Sequence, residues 1–171
     1  MNPLHSELPK IILKPAEIYV GEQPAIVTTT LGSCVSMIFF HQGHHLGAIS
    51  HALLPTSHGQ ENGQENRFKY VDSSFLWMLE RFQSWGIKTQ QIQVKLFGGA
   101  ELLEYDKGDS QMVTVGQQNI KKALELIETH GLNLKASNLG GEMGRKIFFY
   151  TDSGIVLVKN IEKCCFLHQK H

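Results

Sequence analysis

The feature that most constrains this chain is its count of strand-type segments, about four for every helical one. Eight stretches are either alternating or continuously apolar: 11–20 broken at Pro15, 25–30, 35–40, 46–54, 92–97, 132–136, 146–150 and 155–161. Only two carry helical period. From Val71, apolar residues recur at Phe75, Met78, Leu79 and Phe82, with Asp72 or Ser73 placed to cap the start and Gly86 just past the end. In the second, Ile120, Ala123, Leu124 and Ile127 form the stripe, and His130-Gly131 closes it. Strands arrive in consecutive hairpin-like groups, without strict alternation with helices. This predicts an α+β layered sandwich with largely antiparallel sheets and two covering helices, over a doubly wound sheet.

At 171 residues the chain can bury roughly 70% of its unfolded surface, so a core needs no disulfide or structural metal. One domain over 1–171 is expected, with an N-terminal arm over 1–17 and a C-terminal tail over 160–171. Ser57–Asn66 and Tyr105–Gln111 are polar, glycine-containing stretches that read as surface loops. Sixteen basic and sixteen acidic residues cancel, so no overall basic excess points to nucleic acid as a partner. The first ten residues include His5, Glu7 and two prolines where a secretory signal needs an apolar run, and no stretch is apolar enough to insert in a membrane. Three cysteines, Cys34 and the adjacent Cys164 and Cys165, do not make a disulfide framework. A cytoplasmic protein is expected.

The chemistry concentrates in 27–55. If Gln42-Gly43 forms a two-residue hairpin turn, residues whose numbers sum to 85 face each other, and Cys34 stands opposite His51. A thiol beside an imidazole is consequential because thiolate is the nucleophile, and the histidine can activate it and then act as an acid. Gly32 before Ser33-Cys34 suits a sharp turn whose backbone N–H groups could face a developing oxyanion. A third residue usually orients the histidine, and Thr28, Thr29 and Thr30 are all on the neighbouring strand. The plainer alternative is a small buried cysteine, an ordinary strand histidine and threonines present for strand propensity.

Taken in order, Thr28 with Leu31-Gly32-Ser33-Cys34, then 47–55 (Gly-Ala-Ile-Ser-His-Ala-Leu-Leu-Pro), 95–100 (Lys-Leu-Phe-Gly-Gly-Ala), Gly116 with Asn119, and Leu139-Gly140-Gly141 with Gly144-Arg145 form an ordered set. Over about 18–159 the sequence resembles the chemoreceptor glutamine deamidase CheD family. The resemblance implies Cys34 as nucleophile, His51 as acid/base and Thr28 as third member. It implies a layered α/β/β sandwich similar to the catalytic domain of cytotoxic necrotizing factor toxins, and the thiol chemistry expected of these residues requires no metal or organic cofactor. Methyl-accepting chemotaxis receptors are the implied substrates, glutamate methyl esters are a second substrate class, and a CheC-type phosphatase is an implied partner. Phe97, Gly98, Gly99, Gly140 and Gly141 are candidate substrate or partner contacts, although glycines beside strands also mark bulges and turns. The sequence departs from the family pattern at Glu142, where many members have Asn, at the crowded His41, His44 and His45, and in the tail containing Cys164-Cys165.

Two rival classes follow from the same residues. A metal site could draw on Cys34 with His41, His44 and His45, or on Cys164, Cys165, His168 and His171, but neither set has the paired spacing of structural zinc. A non-catalytic chemotaxis adaptor would keep the fold with no need for Thr28, Cys34 and His51 together. A toxin-like deamidase would need an export signal, which the sequence does not suggest.

Overall fold

The computed structural model describes residues 7–58, 64–102 and 113–162. The stretch at 105–111, the cysteine pair at 164–165 and the middle of the loop at 57–66 lie outside them; Gln64–Lys69 forms a short 3₁₀ turn. Among the described residues, nine strands and two α-helices run in the order β1 (Lys10–Ile12), β2 (Ile18–Gly21), β3 (Ile26–Leu31), β4 (Val35–His41), β5 (Leu46–Ser50), α1 (Val71–Ser84), β6 (Gln93–Gly98), α2 (Val115–Thr129), β7 (Asn133–Leu139), β8 (Gly144–Tyr150) and β9 (Val156–Ile161).

They form three layers, as the sequence predicts. A five-stranded sheet, order β2-β5-β4-β6-β7, has the helices on one face and a four-stranded sheet, order β1-β3-β8-β9, on the other. Five of the seven strand pairings are antiparallel; β1 with β3 and β6 with β7 are parallel. The β6–α2–β7 passage is a crossover, which is how two parallel neighbours must be joined.

β4 lies at the centre of the middle layer, and this explains its composition. A strand covered on both faces reads as an unbroken apolar run, and Val35 to Phe40 is buried throughout. Met37 and Phe39 face the helices, with the Phe39 ring edge-on to Phe75 and Phe82 at 5.5 and 5.8 Å. Ile38 and Phe40 face the other sheet, meeting Val27, Leu31, Ile147 and Phe149.

Local details depart from the sequence reading at three points. α1 is capped by Tyr70 without a side-chain bond, while the Asp72 carboxylate instead accepts the Ser57 N–H and the Ser73 N–H. α2 begins with a Thr114/Gln117 capping box, and its buried face is Gly116, Asn119, Ala123 and Ile127, leaving Leu124 exposed. The β4–β5 hairpin turn spans four residues, Gln42 to His45, because His45 and not Gly43 takes the positive φ, at 47°. Its register therefore sums to 87: Phe39 opposes Ala48 and His41 opposes Leu46.

Candidate active site

His51 leaves β5 for the seam between the two sheets, where it is 3% exposed. Its backbone is clasped by the chain before β2: its N–H donates to Glu17 O at 3.0 Å, and its carbonyl accepts from Ala16 N at 2.9 Å. The Nδ1 atom lies 2.7 Å from the hydroxyl of Thr29 on β3, and that hydroxyl donates to Leu13 O at 2.9 Å. A threonine hydroxyl has one proton. The arrangement that satisfies both contacts has the hydroxyl accept from Nδ1–H, which in a neutral ring leaves the lone pair on Nε2. Leu13 is held in turn by its own N–H, which donates to Thr28 O at 2.8 Å. The segment expected as an N-terminal arm thus contributes both a strand and the anchor of the histidine.

Cys34 follows the Gly32-Ser33 bend between β3 and β4. Beyond the regular hairpin, Val35 and Ala52 form an isolated bridge with both hydrogen bonds, 3.0 and 2.9 Å. Cys34 immediately precedes one member and His51 the other. They are diagonal neighbours and not directly opposed, a correction to the register expected from a two-residue turn. A shift of two residues keeps the side chains on the same face. Val35 and Ala52 pack toward the helices, so Cys34 and His51 are on the side facing the four-stranded sheet, where the half-buried Cys34 packs on the inter-sheet core. Diagonal positions stand roughly 7–8 Å apart at the backbone, with side-chain atoms closer.

Three successive carbonyls hold the cysteine segment. Gly32 O accepts from Ala100 N at 2.8 Å, Cys34 O from Gly99 N at 2.8 Å, and Ser33 O from Asn119 Nδ2 at 3.1 Å. Gly32 is buried and Ser33 exposed, as suits a segment turning at the surface.

The structure corrects several assignments. Thr28 does not reach the histidine: its side chain is on the outer face of the four-stranded sheet, its hydroxyl 3.5 Å from Ile11 O, and Thr29 holds the imidazole instead. The sequence contains the signal, since Val27, Thr29 and Leu31 alternate on one face and the two large apolar residues mark it as the inner one. Phe97 is buried in the inter-sheet core and presents no contact surface. Gly98, at φ 111°, leaves room for the Cys34 carbonyl, and Gly99, at φ 71°, lets α2 approach through Gly116 and Ile120. These two glycines shape the cysteine segment from behind. Gly140 and Gly141 turn the chain from β7 to β8 with φ 68° and 72° and reach the surface.

Asn119 and Arg145, which the sequence shows only within its motifs, have evident structural roles. Asn119, fully buried on α2, donates from Nδ2 both to Ser33 O and, at 2.9 Å, to Leu53 O, so one amide ties the cysteine segment to the chain leaving His51. Arg145, buried on β8, donates to Gly98 O at 2.6 Å and Gly140 O at 2.5 Å. Desolvation lowers its pKa from the ordinary arginine value.

At the hairpin tip, the His41 and His44 rings stand 5.0 Å apart, and the His44 N–H donates to His41 Nδ1. Burial first, and then the neighbouring His44, pulls the His41 pKa below its ordinary 6.5. Among the described residues, no three of His, Cys, Asp and Glu gather as metal ligands, and no helix is long and apolar enough to cross a membrane.

Fold and site together define an α/β/β sandwich that presents a thiol and a hydrogen-bonded imidazole on one face of its middle sheet. The chain belongs to the CheD family: the family model described as CheD chemotactic sensory transduction matches residues 53–160. The chain is 42% identical over 95% of its length to a Geobacter sulfurreducens protein named "Probable chemoreceptor glutamine deamidase CheD 2", covering 97% of that relative. It is 35% identical to a Maridesulfovibrio salexigens protein named "Probable chemoreceptor glutamine deamidase CheD" (94% and 97% covered). A Methanococcus maripaludis protein of the same name is 32% identical (86% and 92% covered).

Proposed function

We propose that this chain is a cysteine-dependent deamidase of chemoreceptor glutamines, working in the cytoplasm as one domain. The observation that carries the reading is the Leu13–Thr29–His51 relay, which fixes the imidazole lone pair on Nε2, on the sheet face that also bears Cys34. The relatives' names supply the substrate class.

In this reading, His51 Nε2 takes the Cys34 proton and the thiolate attacks the side-chain amide carbon of a receptor glutamine. The carbonyl becomes an oxyanion, stabilised by backbone N–H groups around Ser33 and Cys34. His51 returns the proton to the departing nitrogen, the C–N bond breaks and ammonia leaves. Water, deprotonated by His51, attacks the thioester; the C–S bond breaks, glutamate is released and Cys34 recovers its proton. No step needs a redox partner or metal. A glutamate methyl ester would give the same thioester with methanol as leaving group, so receptor methylesterase activity belongs to the proposal. A CheC-type phosphatase as a second partner rests on the family resemblance alone.

The test is ammonia release, with a one-dalton mass gain, from a receptor cytoplasmic fragment. Wild type should release ammonia and Cys34→Ala should not. An active Cys34→Ala variant overturns the nucleophile. A folded but inactive wild type, tried on several receptor fragments, overturns the deamidase in favour of an adaptor.

A further inference from the structure

We propose that the outer face of the four-stranded sheet docks an acidic amphipathic helix of a partner protein. The middle layer is covered on both sides, but among the described residues nothing lies over this outer face. The registers align one row across all four strands: Ile12 opposes Thr28, Thr28 opposes Phe148, and Phe148 opposes Leu157. The row is apolar apart from Thr28, and its ends are open, with Ile12 76% and Leu157 52% exposed.

Charge around the row is of one sign. Two residues along the strands on one side stands Lys10, and two residues along on the other stand Lys146 and Lys159, themselves cross-strand partners. The row and its two neighbours contain three lysines and no carboxylate, in a chain whose net charge is zero. The ion pair found among the described residues, Lys122 with Glu125, is elsewhere. Lys146 lies over the Phe148 ring at 5.5 Å, so its ammonium borders the apolar strip.

The dimensions fit a helix. Three interstrand gaps make a row about 14 Å long, which about ten helical residues span. The lysines stand roughly 6–7 Å to either side, close to the radius of a helix with side chains. Leucines at i, i+3, i+4 and i+7 would cover Ile12, Phe148 and Leu157, and glutamates on both flanks would meet the lysines. A flat anionic membrane would address the lysines but not a narrow strip between them.

The test uses a synthetic helix of about 14 residues with a leucine stripe and glutamate flanks, its lysine-flanked counterpart, and anionic vesicles. The full chain is titrated with each while backbone amide NMR signals are followed. The glutamate peptide should move signals of β1, β3, β8 and β9, and K146E/K159E should weaken it about tenfold. Binding should also weaken as salt rises from about 0.1 to 0.5 M. Lys159 is exposed and the half-buried Lys146 is on the open face of the sheet, so the double variant should keep its melting temperature and ammonia release. Absent binding, equal binding of the two peptides, shifts confined to another face, vesicle binding alone, or a dimer formed through this face would each overturn the proposal.

Discussion

Thr28 and Thr29 differ by one position and by which side of a sheet they face, so a pair of isosteric substitutions separates the structural reading from the family expectation. Thr29→Val removes a hydroxyl that joins two buried groups, the Leu13 carbonyl and the His51 Nδ1–H. Leaving a buried polar group unpaired costs about 1–3 kcal/mol, so with two groups affected the loss should be about 2–6 kcal/mol in stability. For a chain of this length that is a melting temperature lower by about 4–24 °C. Below that temperature the imidazole is no longer biased toward the Nδ1–H tautomer. If about 1–3 kcal/mol of that bias is lost to the reaction, deamidation should slow by about 5- to 150-fold. Thr28→Val removes only a 3.5 Å contact on the outer face and should stay within about 0.5 kcal/mol of wild type, with activity unchanged. Thr29→Ser keeps the hydroxyl and should restore most of the rate. The assay is ammonia release below the melting point of every variant, alongside ¹⁵N chemical shifts of the His51 ring, which report the tautomer directly. An inactive Thr28→Val beside a near-normal Thr29→Val would refute the relay.

Asn119→Leu keeps the volume but strips a donor from two carbonyls. It should lower kcat more than it raises KM and alter the rate of Cys34 alkylation by iodoacetamide; an unchanged alkylation rate would reduce Asn119 to packing. Gly98→Ala puts a Cβ against the Cys34 carbonyl at a φ of 111°, and should destabilise by more than about 1 kcal/mol, measured by urea unfolding. His41 has a folded pKa below its unfolded value, so the unfolded state binds more protons and stability rises with pH through that window. It should be fully present above the ordinary 6.5 and decline as pH falls toward the lowered folded value. His41→Gln should flatten the curve of denaturation midpoint against pH on that acid side, and an unaltered slope would show that another group carries it.

The layering was legible because burial leaves a periodic trace. β4 reads as an unbroken apolar run since it is covered twice, while α1 shows a stripe since it is covered once. The hairpin register was not legible, because Gly43 offers the positive φ of a two-residue turn and nothing in the sequence says that His45 adopts it instead. That error was harmless to the chemistry for a geometric reason: side chains repeat every two residues, so a shift of two in the summed register leaves Cys34 and His51 on the same face.

The threonine assignment failed for the opposite reason, being wrong by one residue in a lattice where one residue means the other side. Its parity could have been read from Val27 and Leu31, whose size requires the inner face, because Thr29 shares that face and Thr28 cannot. What no strand pattern could supply is the partner beyond Thr29. The Leu13 carbonyl is what forces the hydroxyl to accept from His51, and it comes from a segment that precedes the strand by sixteen residues, counting from Leu13 to Thr29. Its role as an acceptor depends on the parallel pairing of β1 with β3, a long-range contact that leaves no local periodicity. The tautomer of the histidine, the property on which the proposed chemistry turns, is therefore set by the least patterned part of the fold. Shortening the chain before Ile18 should abolish deamidation even though it removes neither Cys34 nor His51, and truncated protein that remained folded and fully active would contradict that dependence.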